Sequence, residues 1–140
     1  MGRPRSRSGG RADSGTGGSA RSSPPEAFTR AVERIEQHAA AAGRTIPGDH
    51  YGTIIPFALA RTPADAWRAA EPYLPRDRAD EATLRAVTAV GPAEAVAAVI
   101  ERYVRGGGTK FVLRPLAPPE AALDQVAELA EVVVPAFHAR

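Results

Sequence analysis

The chain has 140 residues, enough for one domain. It contains no cysteine, which excludes disulfides, thiolate metal sites and cysteine nucleophiles and suits a reducing compartment. Its net charge of +2 hides an asymmetry: residues 1–23 hold five arginines and one aspartate, whereas residues 24–140 hold 13 basic and 15 acidic residues, so the basic pI gives no reason to expect a nucleic-acid surface on the domain.

Residues 1–23 are mostly Gly, Ser and Arg with almost nothing to bury, a composition that predicts disorder. The arginines fit either a nucleic-acid arm or a solvated leader. The leader is favoured, because no aromatic residue is interleaved for base stacking. No apolar run approaches the ~20 residues of a membrane helix, and no apolar stretch follows the basic start as in a secretory signal. Ser23, Pro24 and Glu26 then read as N-cap, first position and capping-box acid of a helix. Phe28, Val32, Ile35 and Ala39 share one face of it, and Gly43 supplies the stop.

Ile46-Pro47-Gly48-Asp49 is a turn signal. The run Tyr51 to Ala60 is apolar without alternation, as in a strand covered on both faces. Pro56 within it predicts a bulge or a missing ladder bond. Thr62-Pro63-Ala64-Asp65 opens a second helix carrying Ala66, Trp67, Ala70 and Tyr73, with Trp67 read as a packing residue. Residues 74–80 read as a loop, and Asp80 as the cap of a short helix through Val87.

Gly91-Pro92-Ala93-Glu94 opens the next helix, with Val96, Val99, Ile100, Tyr103 and Val104 as its stripe. Gly106, Gly107 and Gly108 end it. Thr109 to Leu113 read as a buried strand that Arg114 and Pro115 terminate. Pro118-Pro119-Glu120 opens the last helix, which Leu123, Val126, Ala127, Ala130 and Val133 line and Pro135 closes. Two strands joined through helices are expected to be parallel, with a right-handed crossover. Two such strands alone leave bare edges and faces, so the pattern reads as a piece of a larger α/β architecture.

No familiar catalytic motif is present. The glycine triplet runs from helix to strand, the reverse of a phosphate loop. His38, His50 and His138 are scattered, so no metal site is expected, and the exposed carboxylates read as solvated charge. Arg114 stands out, because ligands of α/β sheets bind at the carboxyl ends of strands and a guanidinium there can grip an anion bidentately. Pairing with a carboxylate such as Glu120 is the equally weighted structural alternative. Arg61, at the matching end of the other strand, is the second candidate.

Two stretches resemble the late part of luciferase-like flavin or deazaflavin oxidoreductases. One is EQHAAAAGRTIPGDHYGTIIPFAL, from Glu36 to Leu59. The other runs from Val90-Gly91-Pro92-Ala93-Glu94 through TKFVLRPLAPPEAALDQVAELAEVVVPAF. In that family a helix ending in A-G-R leads to a late strand, and a G-T-P-E-E helix start and a G-x-x-K/H-F-V-L strand close a (β/α)8 barrel. Pro92 follows Gly91 directly here, a shift of one against that pattern.

The resemblance spans residues ~24–140 and implies the C-terminal portion of a TIM-type barrel, with residues 1–23 as a tail. It implies a cytoplasmic oxidoreductase acting on a small molecule by hydride transfer or monooxygenation, with deazaflavin (coenzyme F-420 type) or FMN as cofactor. It also implies a homo-oligomer or a missing N-terminal barrel half, with neither nucleic acid nor membrane as partner. Arg114 and Arg61 would then face cofactor or substrate; no catalytic residue is assigned. A non-enzymatic α/β module that self-associates is the alternative.

Overall fold

Three parallel strands, one more than the sequence predicts, form the sheet of the computed structural model, which describes residues 22–138. The elements in order are α1 (Pro25–Ala41), β1 (Gly52–Leu59), α2 (Pro63–Ala70), α3 (Glu81–Val87), β2 (Ala89–Gly91), α4 (Ala93–Arg105), β3 (Lys110–Pro115) and α5 (Pro119–His138). Turns of 3₁₀ helix occupy Gly48–His50 and Glu71–Tyr73. Apart from Ser22 and Ser23, the segment expected to be disordered lies outside the described residues. No described helix is long and apolar enough to cross a membrane.

The spatial order is β2-β1-β3. Each strand is followed by a helix, as in part of a (β/α)8 barrel. The neighbour order, however, is that of a doubly wound sheet, with β1 in the middle. β1 offers β3 a six-residue register, from Gly52 opposite Lys110 to Phe57 opposite Pro115. With β2 it shares only Phe57 to Leu59. Alternation along β1 sends Tyr51, Ile55, Phe57 and Leu59 into one core with Phe28, Val32, Val96, Ile100, Tyr103 and Leu129. On the other face Ala58, Leu116 and Val90 meet Ala66, Trp67, Ala70, Leu74 and Leu84. So α1, α4 and α5 cover one face, while α2 and α3 cover part of the other.

The two prolines inside strands have the same physical account. The Lys110 amide donates to the Tyr51 carbonyl and the Leu116 amide to the Phe57 carbonyl, at 3.2 and 2.8 Å. Odd residues of β1 therefore turn their backbone toward β3, and even residues away from it. Pro56 lacks its N–H on the side where β2 has not yet begun, so no bulge is needed and the register runs through it. Pro115 turns its nitrogen to the open edge of β3, so it extends the strand, and Arg114 is a strand residue. The expected stop after Leu113 is thus corrected.

Other local expectations divide. Thr62 accepts from the Asp65 amide at 3.2 Å, Asp80 accepts from the Thr83 amide at 2.7 Å, and Gly43 takes φ +68° after α1. The α1 capping box does not form. Pro24 is the N-cap, and Glu26 pairs with Arg102 of α4 instead. On α5, Leu129 is the buried residue while Leu123 and Val126 face solvent, and the helix runs past Pro135 to His138. Beneath it β3 is an edge strand, so α5 has less sheet to cover than the expected face requires.

Tyr103 ties the α1–α4 layer together. Its ring meets Phe28 edge-on at 5.6 Å, and its hydroxyl donates to the Ser23 carbonyl at 2.7 Å. Burial pushes its pKa up to about 12, with smaller opposing effects from Arg102 and Glu26. A raised folded pKa adds stability that is complete below the unfolded tyrosine value of about 10. That stability should be lost as pH rises through about 12. An alkaline titration following tyrosinate absorbance and helical signal should show Tyr103 ionising together with unfolding. If Tyr103→Phe leaves both curves unchanged, the hydroxyl is not buried in solution.

Candidate functional site

The carboxyl ends of β1 and β3 form the topological switch point, where ligands of open α/β sheets bind. β1 leads through Ala60, Arg61 and Thr62 into α2 on one face. β3 leads through Leu116, Ala117 and Pro118 into α5 on the other. The chain segments part here to opposite faces of the sheet. Gln125 of α5 reaches the end of β1. Its side-chain oxygen accepts the Leu59 amide at 3.1 Å, taking the ladder bond that β3 is too short to supply.

Arg61 follows the carboxyl end of β1, is exposed, and forms no salt bridge among the described residues. Its neighbours are committed elsewhere. The Thr62 hydroxyl donates to Asp65 at 2.9 Å, and Asp65 also receives Arg68 at 3.1 Å. Arg114 is also exposed and without a salt bridge among the described residues; Glu120 is not its partner. It is the penultimate residue of β3, level with Pro56. Arg61 lies up to roughly 16 Å farther along the strand direction, so the two guanidiniums do not share one position. Alternation places Arg114 with Lys110 and Val112 on the sheet face away from α4 and α5.

Concave space lies elsewhere. A cavity of about 410 Å³ is bounded by Ile100, Val104, Thr109, Phe111, Val133 and Phe137, near the amino end of β3. The Thr109 hydroxyl there already donates to the Gly48 carbonyl at 2.9 Å. A smaller one, about 130 Å³, lies under α5 between Phe57, Leu113 and Leu129. Both are apolar, and neither opens at the switch point. The described residues thus offer cations for a phosphate but no enclosed slot for a flavin-like ring.

Among the described residues no group of three His, Asp or Glu side chains stands close enough to hold a metal ion. His50 is engaged by Asp49 at 2.8 Å, and His38 and His138 lie on separate helices. The sequence reading missed β2, and with it the switch point, as well as Gln125. The signal for β2 was Ala89-Val90-Gly91 between a helix end and a proline, with Gly91 taking φ +132°.

No protein-family model and no curated protein matches the chain. Its fold is similar to that of two solved oxidoreductases. One is the monooxygenase RslO1 from Streptomyces bottropensis, at 21% identity and a TM-score of 0.59, covering 81% of this chain and 39% of that one. The other is an F420-dependent secondary alcohol dehydrogenase in complex with an F420-acetone adduct, at 17% identity and a TM-score of 0.57, covering 80% of this chain and 41% of that one. At these identities the likeness is one of fold, and the chain spans about two fifths of the length of either protein.

Proposed function

We propose that this chain is the C-terminal part of a luciferase-like oxidoreductase that uses deazaflavin or FMN to act on a small molecule by hydride transfer or monooxygenation. The observation that supports it is the fold likeness to two oxidoreductases over four fifths of the chain, one of them F420-dependent. That second neighbour favours deazaflavin over FMN, and the motifs from Glu36 to Leu59 and from Val90 onward agree with this family. A cytoplasmic setting goes with this reading and suits a chain without cysteine. Among the described residues the outer edge of β2 is open, which leaves room for further strands to wall a cofactor that the arginines already hold by its anion.

Arg61 and Arg114 are the anion-binding residues of this reading. A charge-assisted bond to a phosphate or carboxylate contributes roughly 1.5–3 kcal/mol, or about 10–150-fold in affinity. Titrating the full chain with deazaflavin and, separately, with FMN should give a saturable spectral shift for one of them. Arg61→Ala should raise the Kd by that factor, and Arg61→Lys should recover only part of the loss, because the bidentate fork is gone. Arg114→Ala should act in the same direction. No shift with either cofactor at any attainable concentration overturns the reading for this chain.

A second reading, a non-enzymatic α/β module that self-associates, is favoured by the apolar surface left open on the sheet and on α5.

A further inference from the structure

The larger cavity, of about 410 Å³, is walled by three elements of this chain. α4 contributes Ile100 and Val104, β3 contributes Phe111 and Leu113, and α5 contributes Val133 and Phe137. Ile100 is buried, and the other five are half-buried. Leu113 and Val133 also border the smaller cavity, so α5 rests on β3 along an incompletely filled seam. The ring of Phe111 is fixed from behind. It lies 6.2 Å from the Tyr103 ring and against Gly108, where an added Cβ would stand 2.8 Å from it.

No charged residue lines this space. The donors of the turn from α4 to β3 are already taken. The Gly108 amide donates to the Tyr103 carbonyl at 2.9 Å, the Thr109 amide to the Tyr51 carbonyl at 2.8 Å, and the Thr109 hydroxyl to the Gly48 carbonyl at 2.9 Å. An ordered water needs about two to four polar partners, so this lining gives it little to hold. A dry apolar cavity of ~150 Å³ takes up benzene. At about 410 Å³ the space between α4 and α5 admits a two-ring aromatic or a medium-length aliphatic chain. The first residues of the chain do not supply such a group: apart from Met1, residues 1–21 have no apolar side chain larger than proline.

We propose that this cavity is a binding site for an uncharged apolar small molecule, held between α4, α5 and β3. Burying it removes the half-buried faces of Val104, Phe111, Leu113, Val133 and Phe137 from water and seats α5 more firmly on the sheet. The site lies near the amino end of β3, and neither Arg61 nor Arg114 lines it. The proposal therefore does not rest on the cofactor reading.

The uncharged fluorophore N-phenylnaphthylamine should bind the full chain saturably at one site, with blue-shifted emission, and n-decanol should displace it. Decanoate should compete about tenfold more weakly, because no cation meets its carboxylate. Binding should raise the midpoint of a cooperative thermal unfolding. Val104→Trp and Val133→Phe, on facing helices, fill the space from either side. Each should raise the Kd of the fluorophore by about tenfold or more while the unfolding stays cooperative. Val112→Asp, on the opposite face of the sheet, should leave the Kd unchanged. Absence of saturable binding overturns the proposal, as does binding that both filling variants leave intact. Loss of binding in Val112→Asp places the fluorophore on the bare sheet face, and the proposal falls. Decanoate competing as well as decanol overturns the uncharged class. A chain that binds the fluorophore without cooperative unfolding is loosely packed, which also overturns it.

Discussion

Replacing Phe57 with alanine should destabilise the protein by about 3–5 kcal/mol, the usual cost of truncating a buried aromatic. Phe57 is fully buried and sits on β1 where all three strands are side by side, opposite Ala89 on one side and Pro115 on the other. Its side chain enters the core that α4 and α5 build over the sheet. It also forms a wall of the 130 Å³ cavity beneath α5. Truncation therefore enlarges an existing void rather than opening one that neighbours can fill. α5 is poorly placed to collapse onto the gap, since Leu129 is its only fully buried residue. For a domain of this size the loss corresponds to a fall in melting temperature on the order of 10–20 °C. Thermal unfolding followed by CD reads it directly. A fall of only a degree or two would mean that α5 is not seated on β1 in solution.

The helices were legible because their ends are written in local chemistry. Thr62, Asp80 and Gly43 announce caps that three or four neighbouring residues can satisfy. The stripe of α4 was legible for a similar reason, since its apolar residues repeat at one period against one core. The sheet was harder, because strand order is decided by competition between edges far apart in sequence. β2 has three residues, too few to show a period, and it forms on the edge of β1 that faces away from β3. The expected end of β3 failed on an assumption about proline. Pro115 ends a strand only if both of its edges are paired, and one edge of β3 is open.

The candidate site divides along the same line. The position of Arg61 just after β1 could be read from sequence, because it follows an apolar run and precedes a helix cap, a strictly local signature. The level of Arg114 could not, because it depends on the register of β3 against β1. Gln125 could not be found either. It acts through the Leu59 amide, 66 residues away in the chain, and only where β3 ends short.

Trp67 should give the second large effect, from the opposite face of the sheet, and its two substitutions should differ. The residue is 6% exposed and packs with Ala58, Ala66, Ala70, Leu74, Leu84 and Leu116. The guanidinium of Arg85 lies over its ring at 4.2 Å. Trp67→Ala should cost about 3–5 kcal/mol, since the ring is the largest side chain of this smaller core. It should also release Arg85 and loosen α3, which meets the sheet through few residues. Trp67→Phe should cost much less. The indole Nε1 is buried and has no hydrogen-bond partner among the described residues. Removing that N–H relieves a desolvation penalty of roughly 1–3 kcal/mol, which offsets part of the lost packing. The phenyl ring also keeps a weaker cation–π contact with Arg85. Chemical denaturation of the three proteins by far-UV CD separates the cases. Equal losses for alanine and phenylalanine would show that Nε1 is hydrogen-bonded in solution. A negligible loss for alanine would show that α2 and α3 do not form a second core on the sheet.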